Sequence, residues 1–311
     1  MVEQLVDALR MMVFLSIPYS LASLGIMIGG RAGVFNITTE GMMLLGASTA
    51  FLASYFTGGN NLVGLLAASA MGAVIGVLFA YLTVTLKLDQ FVIGLTLFIL
   101  TTGLGSLLYK VYIGVTLEPP RVPVIEDLRV PLLASIPVVG DVVFNQNAMV
   151  YFTILLALAL HYLLFKTMLG LNLRSVGENP RAADSLGINV YLTQYLTTIA
   201  GSTLMSLAGA YLVLAFTGVY TDYIVGGRGW IAIALTLFGR WSPIPILLGS
   251  LLFSGVETLV FQLQAREVAI PYQFLLMLPF IVTLIVLIWV YRRAELPQAL
   301  GKAYDREAIE E

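Results

Sequence analysis

The sequence predicts an all-α polytopic membrane protein, and three observations carry that prediction. Hydrophobic residues make up 59% of the 311 positions and charged residues 11%, where soluble domains hold roughly 45–50% and about 25%. The mean hydropathy is +0.93. The apolar residues also collect into long uninterrupted segments, and a membrane-crossing helix needs about 20 such residues. So few charges cannot cover a soluble globule, which excludes a soluble enzyme and a disordered chain. The net charge of −2 leaves no basic surface for nucleic acid. The absence of cysteine excludes a disulfide framework, thiol chemistry and cysteine zinc sites. A single histidine, His161, leaves little room for histidine catalysis or metal binding, so neither cofactor nor metal is expected. Glu3 and Asp7 near the start, with no small-residue cleavage site, argue against a signal peptide.

Taken in order, the apolar segments are 11–29, 41–56, 62–86, 91–113, 148–168, 191–216, 230–241, 243–263 and 271–291. The expectation is nine or ten transmembrane helices within residues 1–291. Two of the segments are short, 41–56 and 230–241. A twelve-residue helix rises about 18 Å and cannot cross a core of about 30 Å alone. Gly58-Gly59-Asn60 marks a tight polar turn and 87–90 a second. Residues 114–147 form a long loop holding five of the twelve prolines. Residues 169–190 are polar. The tail, 292–311, carries nine of the 34 charged residues and is expected in water.

Lysine and arginine set the orientation. The loop 169–190, flanked by Lys166 and holding Arg174 and Arg181, and the tail with Arg292, Arg293, Lys302 and Arg306, are both expected in the cytoplasm. The loop 114–147 then lies outside. Nine crossings place the N-terminus outside as well.

The tripeptide Gly29-Gly30-Arg31 recurs as Gly226-Gly227-Arg228. Each copy follows a long apolar segment and precedes a short one. Glycine is common here, so the match alone is weak. Coupled to the short segments, it suggests an inverted repeat with two broken helices, the arrangement that places transport sites near the midplane.

Three stretches go beyond composition. The first is Gly30-Arg31-Ala32-Gly33-Val34-Phe35-Asn36-Ile37-Thr38-Thr39-Glu40. The second is Arg174-Ser175-Val176-Gly177-Glu178-Asn179-Pro180-Arg181-Ala182-Ala183-Asp184-Ser185-Leu186-Gly187. The third runs from Gly227-Arg228-Gly229-Trp230 to Phe238-Gly239-Arg240-Trp241-Ser242-Pro243. In this order they resemble the permease subunits of ATP-binding cassette (ABC) importers for simple sugars and nucleosides, within the branched-chain amino acid and ribose permease family. The resemblance implies a cell-membrane transport subunit rather than an enzyme. It also implies three partners besides membrane lipid: an ABC ATPase, a second related permease and an extracytoplasmic substrate-binding protein. The chain has no Gly-x-x-x-x-Gly-Lys-Ser/Thr, so the phosphate cradle must belong to another subunit.

The middle stretch has its own physics. Asn179 is a good N-cap, Pro180 suits the first helical position and Gly187 suits the residue after the C-cap. A helix of about two turns, 180–186, is predicted, too short to stand alone. It would lie on the headgroups or dock on a partner. The resemblance makes it the coupling helix that docks on the ATPase, through Glu178, Asn179, Pro180, Arg181, Asp184 and Gly187.

Polar groups at membrane depth are candidates by default. Asn36 can cap the first short helix, with Glu40 in its first turn, beside Thr38 and Thr39. That structural role and substrate contact are both open for them, and the resemblance favours placing Asn36, Thr39 and Glu40 along the substrate pathway; Phe35, Trp230 and Phe238, near the short segments, are the candidate stacking faces of that pathway. The chain has 34 aromatic residues, so packing explains most of them singly. As a group they suit a neutral, ring-shaped solute. Glu257 must face protein or water, and is expected in a packing contact with a partner helix or, alternatively, lining the cavity. Asp222 and Arg228 are expected at the outer gate, pairing with each other or meeting the binding protein. The competing functions are a branched-chain amino acid or other small-solute ABC permease, and an ion-coupled secondary transporter with only Glu40 and Glu257 as coupling groups. An intramembrane hydrolase fails for want of Gly-x-Ser-x-Gly or paired aspartates.

Overall fold

The computed structural model describes residues 2–115, 118–129, 139–265, 271–290 and 296–306. Arg292, Arg293 and part of the loop 114–147 fall outside that range. The described chain is mostly helical. Its helices are α1 (Val2–Arg31), α2 (Thr39–Phe56), α3 (Asn61–Ala80), α4 (Gln90–Tyr112), α5 (Val139–Val143), α6 (Ala148–Lys166), α7 (Met168–Glu178), α8 (Pro180–Ser185), α9 (Val190–Tyr211), α10 (Arg228–Phe238), α11 (Pro243–Ala265) and α12 (Tyr272–Val290). Single π-helical turns, Tyr81–Thr85 and Leu212–Thr217, extend α3 and α9. Six of the described helices are long and apolar enough to cross a membrane: α1, α3 and α9 with their extensions, α4, α6 and α11.

Local chemistry sets the helix starts. Asn60, Asp89, Asn147 and Asn189 each accept a backbone N–H from the first turn of the following helix. That is the N-cap bond, which satisfies one of four orphan donors. The bundle is built around α1, α2 and α9. The helix α2 is buried along nearly all its length and packs on α3, α4 and α9. Small residues allow this approach: an ideal Cβ on Gly25 would lie 2.4 Å from the Gly201 carbonyl oxygen, and one on Gly209 would lie 1.7 Å from that of Met43. Backbones in such contact gain dispersion energy, which drives helix association in lipid.

The two ends of the bundle are distinguishable. At one end Arg10 pairs with Asp127 at 2.5 Å, Asn61 donates to the Pro123 carbonyl, and Lys110 pairs with Asp222 at 2.9 Å. The start of α1 therefore shares an end with the loop 114–147. At the other end lie the α1–α2 connection, the loop 86–89, α7, α8 and residues 296–306.

Several expectations need correction. The helix α1 begins at Val2, not near residue 11, because its polar first turns are solvated while its second half is buried. The loop 169–190 holds a second helix besides the predicted short one. It contains α7, capped by Thr167, whose hydroxyl accepts the Gly170 N–H at 3.2 Å. Within the loop 114–147, β1 (Asp127–Arg129) pairs antiparallel with β2 (Asn145–Asn147). The tail is not simply in water, since Ala299 and Tyr304 are buried against the bundle.

Candidate functional site

The helices α2 and α10 meet at their N-terminal ends. The chain leaves α1 at Arg31 and runs irregularly to Thr39. Along the way Asn36 donates to the Ser202 hydroxyl at 3.1 Å, and the Thr39 hydroxyl points to the Met205 sulfur at 3.7 Å. These contacts set the start of α2 level with the middle of α9. From the opposite end, residues 218–227 descend to the start of α10. There the Glu40 carboxylate accepts the backbone N–H of Gly227 at 2.8 Å and of Gly229 at 2.7 Å. A side chain in the first turn of α2 thus caps α10. The positive end of the α10 dipole is where a carboxylate is most stabilised.

The far end of α10 is held from α1. The Arg31 guanidinium donates to the Trp241 carbonyl at 2.8 Å and to the Arg240 carbonyl at 3.2 Å. Both carbonyls belong to residues in the left-handed region, with φ of 52° for Arg240 and 54° for Trp241. Such a conformation costs a bulky residue about 1–2 kcal/mol. Two glycines make the clamp possible. A Cβ on Gly229 would fall 2.6 Å from the Glu40 backbone, and one on Gly30 would fall 1.9 Å from the Trp241 ring. Gly30 of the first tripeptide thus meets the Trp241 ring, and Gly227 of the second meets the Glu40 carboxylate. The copies differ in conformation: Gly29 and Gly30 lie inside α1, whereas Gly226 and Gly227 have φ of 58° and 84°.

Arg228 does not pair with Asp222. It is half-buried at the head of α10 and pairs with the buried Glu257 of α11, which also accepts the Tyr19 hydroxyl at 3.0 Å. Arg228 further donates to the carbonyls of Ile224 and Val225, each at 3.0 Å. Asp222 stays at the end of the bundle that carries the loop 114–147, accepting from Ser106 at 2.6 Å and pairing with Lys110. The Ser106 hydrogen bond, with Lys110, holds the Asp222 carboxyl below its usual range.

The six pathway candidates do not form one cluster. Asn36 does not cap α2 as expected: it accepts the Thr38 N–H at 3.0 Å in a local turn, and the N-cap is Thr38. Asn36 and Thr39 are buried and Glu40 is half-buried, and all three are engaged within the chain. Phe35 lies edge-on to Trp241, centroids 6.3 Å apart, and its N–H donates to Gln90 at 2.7 Å. Trp230 is half-exposed and packs edge-on to Phe98 of α4 at 5.3 Å. Phe35 and Trp230 thus sit at opposite ends of α10. Phe238 packs on the cluster of Tyr19, Ile231, Leu235 and Phe253. Arg31, Gly229 and Ser202 were missed in the sequence. The repeated Gly-Gly-Arg was the signal available for Arg31, Gly229 directly follows its second copy, and Ser202 had no signal.

At the other end, α8 runs from Pro180 to Ser185, with Asn179 accepting the Ala182 N–H at 3.0 Å. Gly187 has φ of 84°, and the Ile188 N–H returns to the Ala183 carbonyl at 3.1 Å. This is the bonding pattern of a glycine-terminated helix end. Ala183 is buried, so α8 rests on the bundle by one small residue. Glu178, Pro180 and Arg181 line an open cleft of about 330 Å³ between α8 and residues 298–305.

Residues 8–287 match the family model described as the branched-chain amino acid transport system permease component. The nucleoside ABC transporter permease protein NupC of Lactococcus lactis is 34% identical, the match covering 94% of this chain and 95% of that protein. The guanosine ABC transporter permease protein NupQ of Bacillus subtilis is also 34% identical, covering 92% of each. Among solved structures, one chain of an inward-facing ABC transporter has a TM-score of 0.50 at 17% identity, over 91% of this chain and 85% of that one. The fold, the family match and the two relatives agree, and the chain is a multi-pass membrane protein belonging to the ABC-importer permease family of branched-chain amino acid transport system permease components.

Proposed function

We propose that this chain forms half of the translocation pathway of an ABC importer for a nucleoside or simple sugar. The observation that carries the reading is the junction at Glu40. The helix α2 leaves it toward the end bearing Pro123, and α10 leaves it toward the end bearing Arg31. Two short helices running oppositely from a shared start support an inverted repeat with nine crossings. The substrate class rests on the relatives' names and on the neutral, aromatic character of Phe35, Trp230 and Phe238 near α10. Because Phe35 and Trp230 lie apart, a complete binding surface needs a second permease across the pathway.

The ATPase would dock on α8 and the cleft beside it, at the end of the bundle that carries Lys166, Arg174 and Arg181 and is therefore assigned to the cytoplasm. The binding protein would meet the opposite end, where Asp222 and Lys110 lie. Ion-coupled transport is disfavoured by a specific observation. Glu40 and Glu257, the carboxylates it would need, are already engaged with backbone N–H groups and with Arg228.

The test is Gly187→Val. A β-branched residue at a left-handed φ distorts the end of α8 while leaving the bundle intact. Membrane insertion should be normal. ATPase co-purification and vesicle uptake of labelled guanosine or glucose should fall together. Wild-type values for both would remove α8 from the coupling role.

A further inference from the structure

The described part of the C-terminal segment, residues 296–306, touches four separate pieces of the bundle. The Ala299 N–H donates to the Gly177 carbonyl at the end of α7, at 2.9 Å. The Gly301 N–H donates to the Gly33 carbonyl in the α1–α2 connection, at 3.1 Å. Asp305 pairs with Lys87, after α3, at 2.7 Å. Tyr304 and Arg306 converge on one carboxylate oxygen of Asp184 in α8, at 3.0 and 2.9 Å. The Tyr304 ring is buried with Val176, Ala183 and Val190, and lies 5.5 Å from the Tyr191 ring.

Asp184 thus ties α8 to the C-terminal segment through its side chain. Its two partners come from a segment whose next fixed point is Gly33. Residues 34–38 then lead directly to Glu40, the cap of α10. The end of α7 already abuts the last turn of α1, where a Cβ on Gly177 would lie 2.1 Å from the Arg31 carbonyl oxygen. Residues 296–306 add a polar anchor to the apolar contact that α8 makes through Ala183. A six-residue helix has no cooperative strength of its own, so what fixes its position is what holds its side chains.

We propose that residues 296–306 are a mechanical strap that passes displacement of α8 to the α1–α2 connection, with Tyr304 and Arg306 as positioning residues. The inference rests on the reading of α8 as the ATPase-coupling helix. It separates coupling from docking: α8 engages the ATPase, and the strap makes that engagement move the half-helices.

The experiment uses the full importer in vesicles, with its ATPase, second permease and binding protein. Tyr304→Phe combined with Arg306→Gln strips both partners from Asp184 and keeps the buried ring, so folding is preserved. Tyr304→Ala also removes the ring packing. Three quantities are read: ATPase co-purification, ATP hydrolysis and guanosine uptake. For the double variant, co-purification and hydrolysis stay at wild-type levels. Uptake per ATP hydrolysed falls about tenfold or more, the scale of one lost hydrogen bond to a charged group. Tyr304→Ala lowers the same ratio at least as far. A wild-type ratio in the double variant overturns the strap. Loss of ATPase co-purification in the double variant also overturns it, because the segment would then be part of the docking surface. Failure of the α8 reading looks different: there, Gly187→Val retains both association and uptake.

Discussion

Removing the Glu40 carboxylate should loosen α10 before it loosens anything else. The helix has 11 residues, below the roughly 12–15 at which even good helix formers hold together alone. Its first orphan donors, on Gly227 and Gly229, are met by the two carboxylate oxygens at 2.8 and 2.7 Å. Hydrogen bonds to a charged group contribute about 1.5–3 kcal/mol each. Glu40 is half-buried, so water recovers part of that. For Glu40→Ala we expect a local loss of about 2–3 kcal/mol, from the lower part of the range. That corresponds to amide exchange in α10 faster by roughly 30- to 150-fold. Glu40→Gln keeps one acceptor and turns an N–H toward the other donor, so it should fall between the two. The assay is hydrogen exchange on the vesicle-reconstituted importer, resolved to peptides covering 228–238, with α9 as internal reference. If α10 exchanges at the wild-type rate in Glu40→Ala, Glu40 is not its cap and the junction argument is wrong.

Three further outcomes follow from the same geometry. Arg228→Met or Glu257→Gln alone leaves a buried partner uncompensated and should cost about 3–5 kcal/mol, whereas Arg228→Met with Glu257→Leu should recover most of it in a detergent-melting assay. Gly209→Val drives a side chain into the Met43 carbonyl, so it should reduce folded yield by size-exclusion chromatography, at a cost of about 1–3 kcal/mol or more. The folded pKa of Asp222 is lowered, so its contribution is present above its unfolded value of about 3.9 and lost as pH falls through the folded value. Cross-linking between cysteines placed in 218–222 and 106–110 should therefore be unchanged from pH 7 to pH 5 and decline only below about pH 4.

Much of the architecture was legible because lipid imposes a simple rule: apolar runs of a given length become helices. The apolar segments read from the sequence each overlie an observed helix, including the short α10, six of them long and apolar enough to cross a membrane. Asn179, Pro180 and Gly187 announced α8 because caps and left-handed ends are local chemistry. What stayed hidden was tertiary. Nothing near Glu40 in the sequence says that it caps a helix starting 188 residues later. Arg228 and Asp222 look like partners by proximity along the chain, yet the turn at Gly226 and Gly227 sends Arg228 inward to Glu257. The tail read as solvated because charge count outweighs two residues, Ala299 and Tyr304, whose burial depends on surfaces supplied by α7 and α8. The aromatic candidates were grouped by sequence nearness to the short helices, and the structure divides Phe35 and Trp230 between the two ends of α10.

The most direct test of the central claim is an omission series in sealed vesicles. This permease is reconstituted with its second permease, the ATPase, the binding protein and internal or external ATP as orientation requires. Labelled guanosine uptake and phosphate release are followed together. The account predicts that uptake requires every component and ATP, and that the purified chain alone releases no phosphate. Guanosine or glucose uptake by this chain alone, driven by an ion gradient without ATP, would contradict it.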